Sequence, residues 1–134
     1  MSQPGFDFDD LVEDDAGVPT YSVSELTQEI NQALRRRFFD GVWVRGEIQG
    51  WRENGPHAYF QLVETMDDGR KSALDVAFFA PQRARLRPLL SRSRLQLGNG
   101  MKVRIHGNLD VWVQNGKLSL KMGGIDPRYT LGDM

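Results

Sequence analysis

Asp40-Gly41-Val42-Trp43-Val44-Arg45-Gly46-Glu47-Ile48-Gln49-Gly50 is the stretch where the apolar rhythm of the chain changes. Before it, Val23, Leu26, Ile30, Ala33 and Leu34 recur at three-and-four spacing, the stripe of a single helix face. Within it, Val42, Val44, Gly46 and Ile48 alternate with Trp43, Arg45, Glu47 and Gln49, the period of two that a strand with one covered face requires. Gly41 therefore marks a passage from helix to sheet, and Gly46 allows a bend or a close backbone approach. The helix start is local chemistry. Ser22 can accept from the amide of Glu25 while Glu25 reaches back, and Tyr21 can pack on Leu26. Arg35-Arg36-Arg37 suits the negative end of the helix dipole, so the helix should stop near Phe38 or Phe39.

Downstream the period of two persists. Arg52 to Pro56 reads as a turn, and a second strand over about 57–64 sets Ala58, Phe60 and Leu62 against His57, Tyr59 and Gln61. Asp67-Asp68-Gly69 turns again. A third strand over about 72–79 sets Leu74, Val76 and Phe78 against Ala73, Asp75, Ala77 and Phe79. Pro81 opens a short helix over about 82–90, with Leu86, Leu89 and Leu90 on its apolar side. After Gly98-Asn99-Gly100, a fourth strand over about 101–112 buries Met101, Val103, Ile105, Gly107, Leu109 and Val111. It shows Lys102, Arg104, His106, Asn108, Asp110 and Trp112. Asn115-Gly116 predicts a tight hairpin with positive φ at both positions, leading into a fifth strand over about 117–123. Helix, three strands, short helix, two strands is the order of an OB-fold. The predicted fold class is all-β with flanking helices around a five-stranded Greek-key barrel. An SH3-like barrel accounts less well for the helix between strands three and four.

Composition bounds the function. The chain has 134 residues, a net charge of -1, no Cys and two His, His57 and His106. At this length a single core suffices without disulfides or metal. Thiolate chemistry is excluded, a zinc site would have to draw mostly on carboxylates, and no cofactor is expected. No apolar run approaches a membrane span and the acidic N-terminus lacks a basic signal region, so the expected location is the cytoplasm with no membrane partner. The near-zero charge hides an asymmetry. Residues 1–20 carry Asp7, Asp9, Asp10, Glu13, Asp14 and Asp15 with no Lys or Arg, whereas residues 21–134 carry 17 basic against 12 acidic side chains. Residues 1–19 read as a disordered acidic tail, 20–131 as the barrel domain, and 132–134 as the start of a linker. Positions 76–109 contain Arg83, Arg85, Arg87, Arg92, Arg94, Lys102 and Arg104 without a single carboxylate, which favours a polyanionic partner.

An OB barrel offers strands two and three, with the loops one-to-two and four-to-five, as its ligand surface. That places Trp51, Arg52, His57, Tyr59 and Phe79 where unpaired bases can stack. Arg104, His106, Asn108 and Lys117, with Arg45 and Lys121, alternate outward on neighbouring strands as a possible phosphate track. Asp75 argues against a uniform groove, since its carboxylate would repel phosphate. No catalytic constellation emerges. Glu47, Glu64 and Asp75 fall on three strands with no metal-specific spacing, and the glycine pairs lack the context of a nucleotide loop. Three readings stay open at this level: single-stranded DNA binding, RNA binding on the same barrel, and a protein-interaction barrel docking a partner domain or subunit.

Ser22 to Leu26 at a helix start, Gly46-Glu47-Ile48, His57 with Tyr59-Phe60, and Gly100 to Gly107 together resemble the N-terminal OB-fold domain of the exonuclease VII large subunit, over about residues 20–131. The Pro56 inserted before His57, and Gln49 where that family often has Ser, depart from its pattern. The resemblance implies a bacterial cytoplasmic exodeoxyribonuclease that degrades single-stranded DNA to oligonucleotides. It also implies small subunits carried by another part of the large subunit, and a catalytic domain that follows Met134. On that basis these residues supply substrate capture and no catalytic residue.

Overall fold

The computed structural model describes residues 17–132. Of the acidic tail expected at 1–19, residues 1–16 lie outside the described residues, as do 133–134 of the expected linker. The elements are α1 (Val23–Arg37), β1 (Val42–Asn54), β2 (His57–Thr65), β3 (Lys71–Phe78), α2 (Ala80–Arg92), β4 (Lys102–Val111), β5 (Leu118–Ile125) and α3 (Pro127–Gly132). The five strands close into a barrel in the order β1-β2-β3-β5-β4. Four of the neighbouring pairs are antiparallel and β3 with β5 is parallel, which is how the expected OB topology closes.

The inward residues of the period-two pattern form the core: Ile48, Ala58, Phe60, Leu62, Val76, Phe78, Val103, Ile105, Leu120, Met122 and Ile125. Leu86, Leu89 and Leu90 of α2 pack onto this cluster from the connection between β3 and β4. Gly46 allows the expected close approach, since a Cβ there would lie 2.8 Å from Leu62 Cγ.

Several local expectations are corrected. β1 runs to Asn54 instead of ending near residue 50. Its register shifts between Gln49 and Arg52, and Gly50 takes φ +66 there, a conformation that costs glycine nothing. Beyond this bulge the strand resumes pairing, Arg52 with Tyr59 and Asn54 with His57, so the turn shrinks to Gly55-Pro56. α2 is longer than expected, spanning Ala80–Arg92 with Pro88 inside it. The hairpin after β4 is wider than a two-residue turn. The amide of Trp112 donates to the Lys117 carbonyl and that of Gly116 to the Trp112 carbonyl. Gly116 has positive φ and Asn115 does not. β5 extends to Ile125, and α3, which no periodicity announced, follows with buried Thr130 donating its hydroxyl to the Lys102 carbonyl at 2.8 Å.

The largest correction concerns α1. The capping box forms as expected, with Ser22 Oγ accepting from the Glu25 amide and Glu25 Oε1 accepting from the Ser22 amide. That second bond holds the Glu25 carboxyl below its ordinary value. The helix nevertheless docks through Thr27 and Asn31. The Asn31 side-chain amide donates to the Val111 carbonyl at 3.0 Å and its oxygen accepts from the Val111 amide at 2.7 Å. This reciprocal pair satisfies the end of β4 as a neighbouring strand would. The apolar stripe of Val23, Leu26 and Ile30 is left outside, with Val23 82% and Leu26 46% exposed.

Candidate nucleic-acid interface

Strand register builds the site. Gln61, Asp75 and Ser119 lie abreast on β2, β3 and β5. Two residues along, Tyr59, Ala77, Lys121 and Asn108 lie abreast on β2, β3, β5 and β4, with Arg52 of β1 beside Tyr59. Neighbouring strands stand about 4.8 Å apart, so Tyr59 and Lys121 flank the small Ala77 closely. Ala77, expected on the exposed face, is only 2% exposed because the longer side chains around it cover it. The groove has a volume of about 560 Å³, and Arg52, Tyr59, Gln61, Asp75, Trp112 and Lys117 line it.

Each side chain is held by a neighbour. Tyr59 meets the edge of Phe79 with ring centroids 6.2 Å apart, and the Arg52 guanidinium lies 5.1 Å from the Tyr59 centroid. Trp112, just past β4, folds over β5 and donates its Nε1–H to Ser119 Oγ at 2.9 Å, which buries that serine. Gln61 Nε2 donates to Asp75 Oδ1 at 3.2 Å. Arg52 and Lys117 are exposed and have no ion-pair partner among the described residues. Such a surface offers rings, two available cations and one carboxylate.

The sequence-derived candidates divide by location. Arg52, Tyr59 and Lys117 meet in the groove, with Phe79 supporting Tyr59. His57 stands one step away and does structural work. Its Nδ1 accepts from the Ala80 amide at 3.0 Å, filling a need that Phe79 at the N-cap of α2 leaves open, and its ring meets Phe79 at 5.3 Å. Trp51 points to the other side of β1. It stacks on Phe60 at 5.4 Å and packs against the core. Asn108 is exposed on β4, in line with Tyr59 but beyond Lys121. Lys121 itself pairs with Asp110 at 2.9 Å.

Arg104 and His106 lie on the β1–β4 face, away from the groove. Arg104 Nη1 sits 3.0 Å from Asp126 Oδ2, and its guanidinium carbon lies 4.1 Å from the Trp43 ring centroid. His106 Nε2 is 2.9 Å from the Asp40 carbonyl oxygen. Burial opposes ionisation of Asp126, but hydrogen bonds and charge from Arg128, with a hydrogen bond from Arg104, outweigh it and hold the carboxyl below its ordinary value. Sequence reasoning recognised Trp112 as outward yet gave it no role. Its position on the strand-four-to-five loop, a named ligand loop of this barrel, was the signal that could have found it. No group of three or more metal-ligating side chains occurs among the described residues, and no helix among them is long and apolar enough to cross a membrane.

A family model described as an OB-fold nucleic acid binding domain matches residues 21–126. The exodeoxyribonuclease 7 large subunit of Rickettsia conorii is 32% identical over 108 residues, covering 80% of this chain and 21% of that protein. The large subunit of Deinococcus radiodurans is 31% identical over 118 residues, covering 83% of this chain and 28% of that protein. The chain thus spans between about a fifth and three-tenths of the length of these relatives. Among solved structures, the N-terminal domain of PriB protein from Thermoanaerobacter tencongensis is similar at 16% identity and a TM-score of 0.46, covering 65% of this chain and 94% of that one.

Proposed function

This chain belongs to the OB-fold nucleic acid binding domain family, and from that premise we propose that its groove captures single-stranded DNA for an exodeoxyribonuclease large subunit whose catalytic domain lies outside these residues. The observation that carries the reading is the groove lined by Tyr59 and Trp112 and rimmed by the available cations Arg52 and Lys117. A base enters the groove and stacks on a ring, which contributes about 1–3 kcal/mol per base. The flanking phosphates meet Arg52 and Lys117, whose bound counterions are released. Neither contact needs a particular sequence, as suits the degradation of arbitrary strands. The small subunit of such an enzyme is a partner of the longer chain, and the cytoplasm is the compartment this reading implies.

The test is fluorescence anisotropy with a labelled oligothymidine. The chain should bind at low salt, release as salt rises, and bind more weakly as Tyr59→Ala. Absence of binding at low salt, or normal binding by Tyr59→Ala, refutes the assignment.

One observation favours a second reading, docking of the remainder of the large subunit. Val23, Leu26 and Ile30 form an exposed apolar stripe on α1, more than a helix tied only to its own barrel needs. Co-elution of the rest of the subunit with this chain, lost as Leu26→Asp with DNA binding unchanged, would support it.

A further inference from the structure

Asp75 is the feature that fits phosphate capture worst. Its carboxylate lines the groove, half-buried, where backbone phosphate would be repelled. Its surroundings give it another use. Gln61, abreast on β2, spends one amide hydrogen on Asp75 Oδ1 at 3.2 Å and so is fixed beside it. One Gln61 N–H remains to donate, next to carboxylate oxygens that can only accept. In order, the pair presents a donor, an acceptor and an acceptor.

We infer that Gln61 and Asp75 form a guanine-reading subsite within the groove, an inference that rests on the single-stranded DNA reading above. Guanine alone among the four DNA bases carries the complement on its Watson–Crick edge, the O6 acceptor followed by the N1–H and N2–H donors. Thymine offers one donor between two acceptors, whereas cytosine and adenine each set a ring-nitrogen acceptor beside their amino group. Opposite Asp75, those lone pairs would meet a carboxylate. Stacking on a ring of the groove holds the base plane, and the carboxylate takes both guanine donors. Hydrogen bonds to a charged group contribute more than neutral ones, enough for about a tenfold preference. Ser119 completes the row, its oxygen accepting from Trp112 Nε1–H.

The experiment compares three labelled 12-mers in lithium buffer, which suppresses guanine self-association: alternating guanine–thymine, alternating inosine–thymine, and oligothymidine. Inosine keeps O6 and N1–H and lacks the 2-amino group. The expected order is guanine–thymine tightest by about tenfold over oligothymidine, with inosine–thymine between. Asp75→Asn should erase the differences while binding oligothymidine at least as well as the unaltered chain, which also shows that the variant is folded. Gln61→Leu should reduce the ratio of guanine–thymine to oligothymidine affinity. Equal affinity for all three strands, or a preference that survives Asp75→Asn, overturns the subsite and leaves the groove reading standing. Failure of every strand to bind overturns both.

Discussion

Two outer faces of the same barrel carry the same kinds of side chain and hold them in opposite states. On the β1–β4 face, Arg104 is paired with Asp126 and laid over Trp43, and His106 is bonded to the Asp40 carbonyl. There Arg104 and Trp43 satisfy one another, while Arg45 stands exposed beside them. Across β2, β3 and β5, Arg52 and Lys117 lack an ion-pair partner among the described residues and line the groove beside Tyr59 and Trp112. Alternation puts both sets outward, so parity alone cannot rank them. What separates Arg104 from Arg52 and Lys117 is whether a carboxylate from the next element has already claimed the cation, because a claimed group must give up a bond before it can take a phosphate.

That contrast can be broken in several ways. Tyr59→Ala should weaken oligothymidine binding by about 1–3 kcal/mol, whereas Trp43→Ala should leave it unchanged in the same anisotropy titration. Lys117→Ala should lower the slope of log affinity against log salt by about 0.7, one phosphate contact, with the melting temperature unaltered. Arg104→Ala should do the reverse, keeping the salt slope and lowering stability by less than about 1 kcal/mol, since the pair is partly open to solvent. The smallest effect is pH dependence. Glu25 and Asp126 have carboxyl pKa values held below their ordinary 4.5 and 3.8 in the fold, so each favours the folded state at neutral pH. That contribution is lost as pH falls through the ordinary values toward the lowered ones. The melting temperature should decline over that interval, and less steeply in Asp126→Asn.

Much of the barrel was legible because its signals are local. The alternation of Val42 to Ile48, of Ala58 to Leu62 and of Val103 to Leu109 fixed strand faces, and Ile48, Ala58, Phe60, Leu62, Val103 and Ile105 of the buried cluster lie on them. Ile125 was missed because Gly123-Gly124 reads as a turn while the chain continues as strand. The capping box at Ser22 was equally local. What escaped depends on partners distant in the chain. Asn31 turns the polar side of α1 inward by bonding Val111, 80 residues away, and no helical period can announce that. The bulge at Gly50 inverted Trp51 relative to the expected ligand face, since one extra residue exchanges the two sides of a strand. Trp112 joined the groove only because the hairpin after β4 is wide enough to fold its ring over Ser119.

The most direct test of the groove is an amide chemical-shift map of the isotopically labelled chain titrated with a short oligothymidine at low salt. The account predicts the largest shifts at Gly50, Tyr59, Ala77 and Ser119, with the amides of Trp43, Arg104 and His106 little moved. The largest shifts on the β1–β4 face, with Ala77 and Ser119 still, would contradict it.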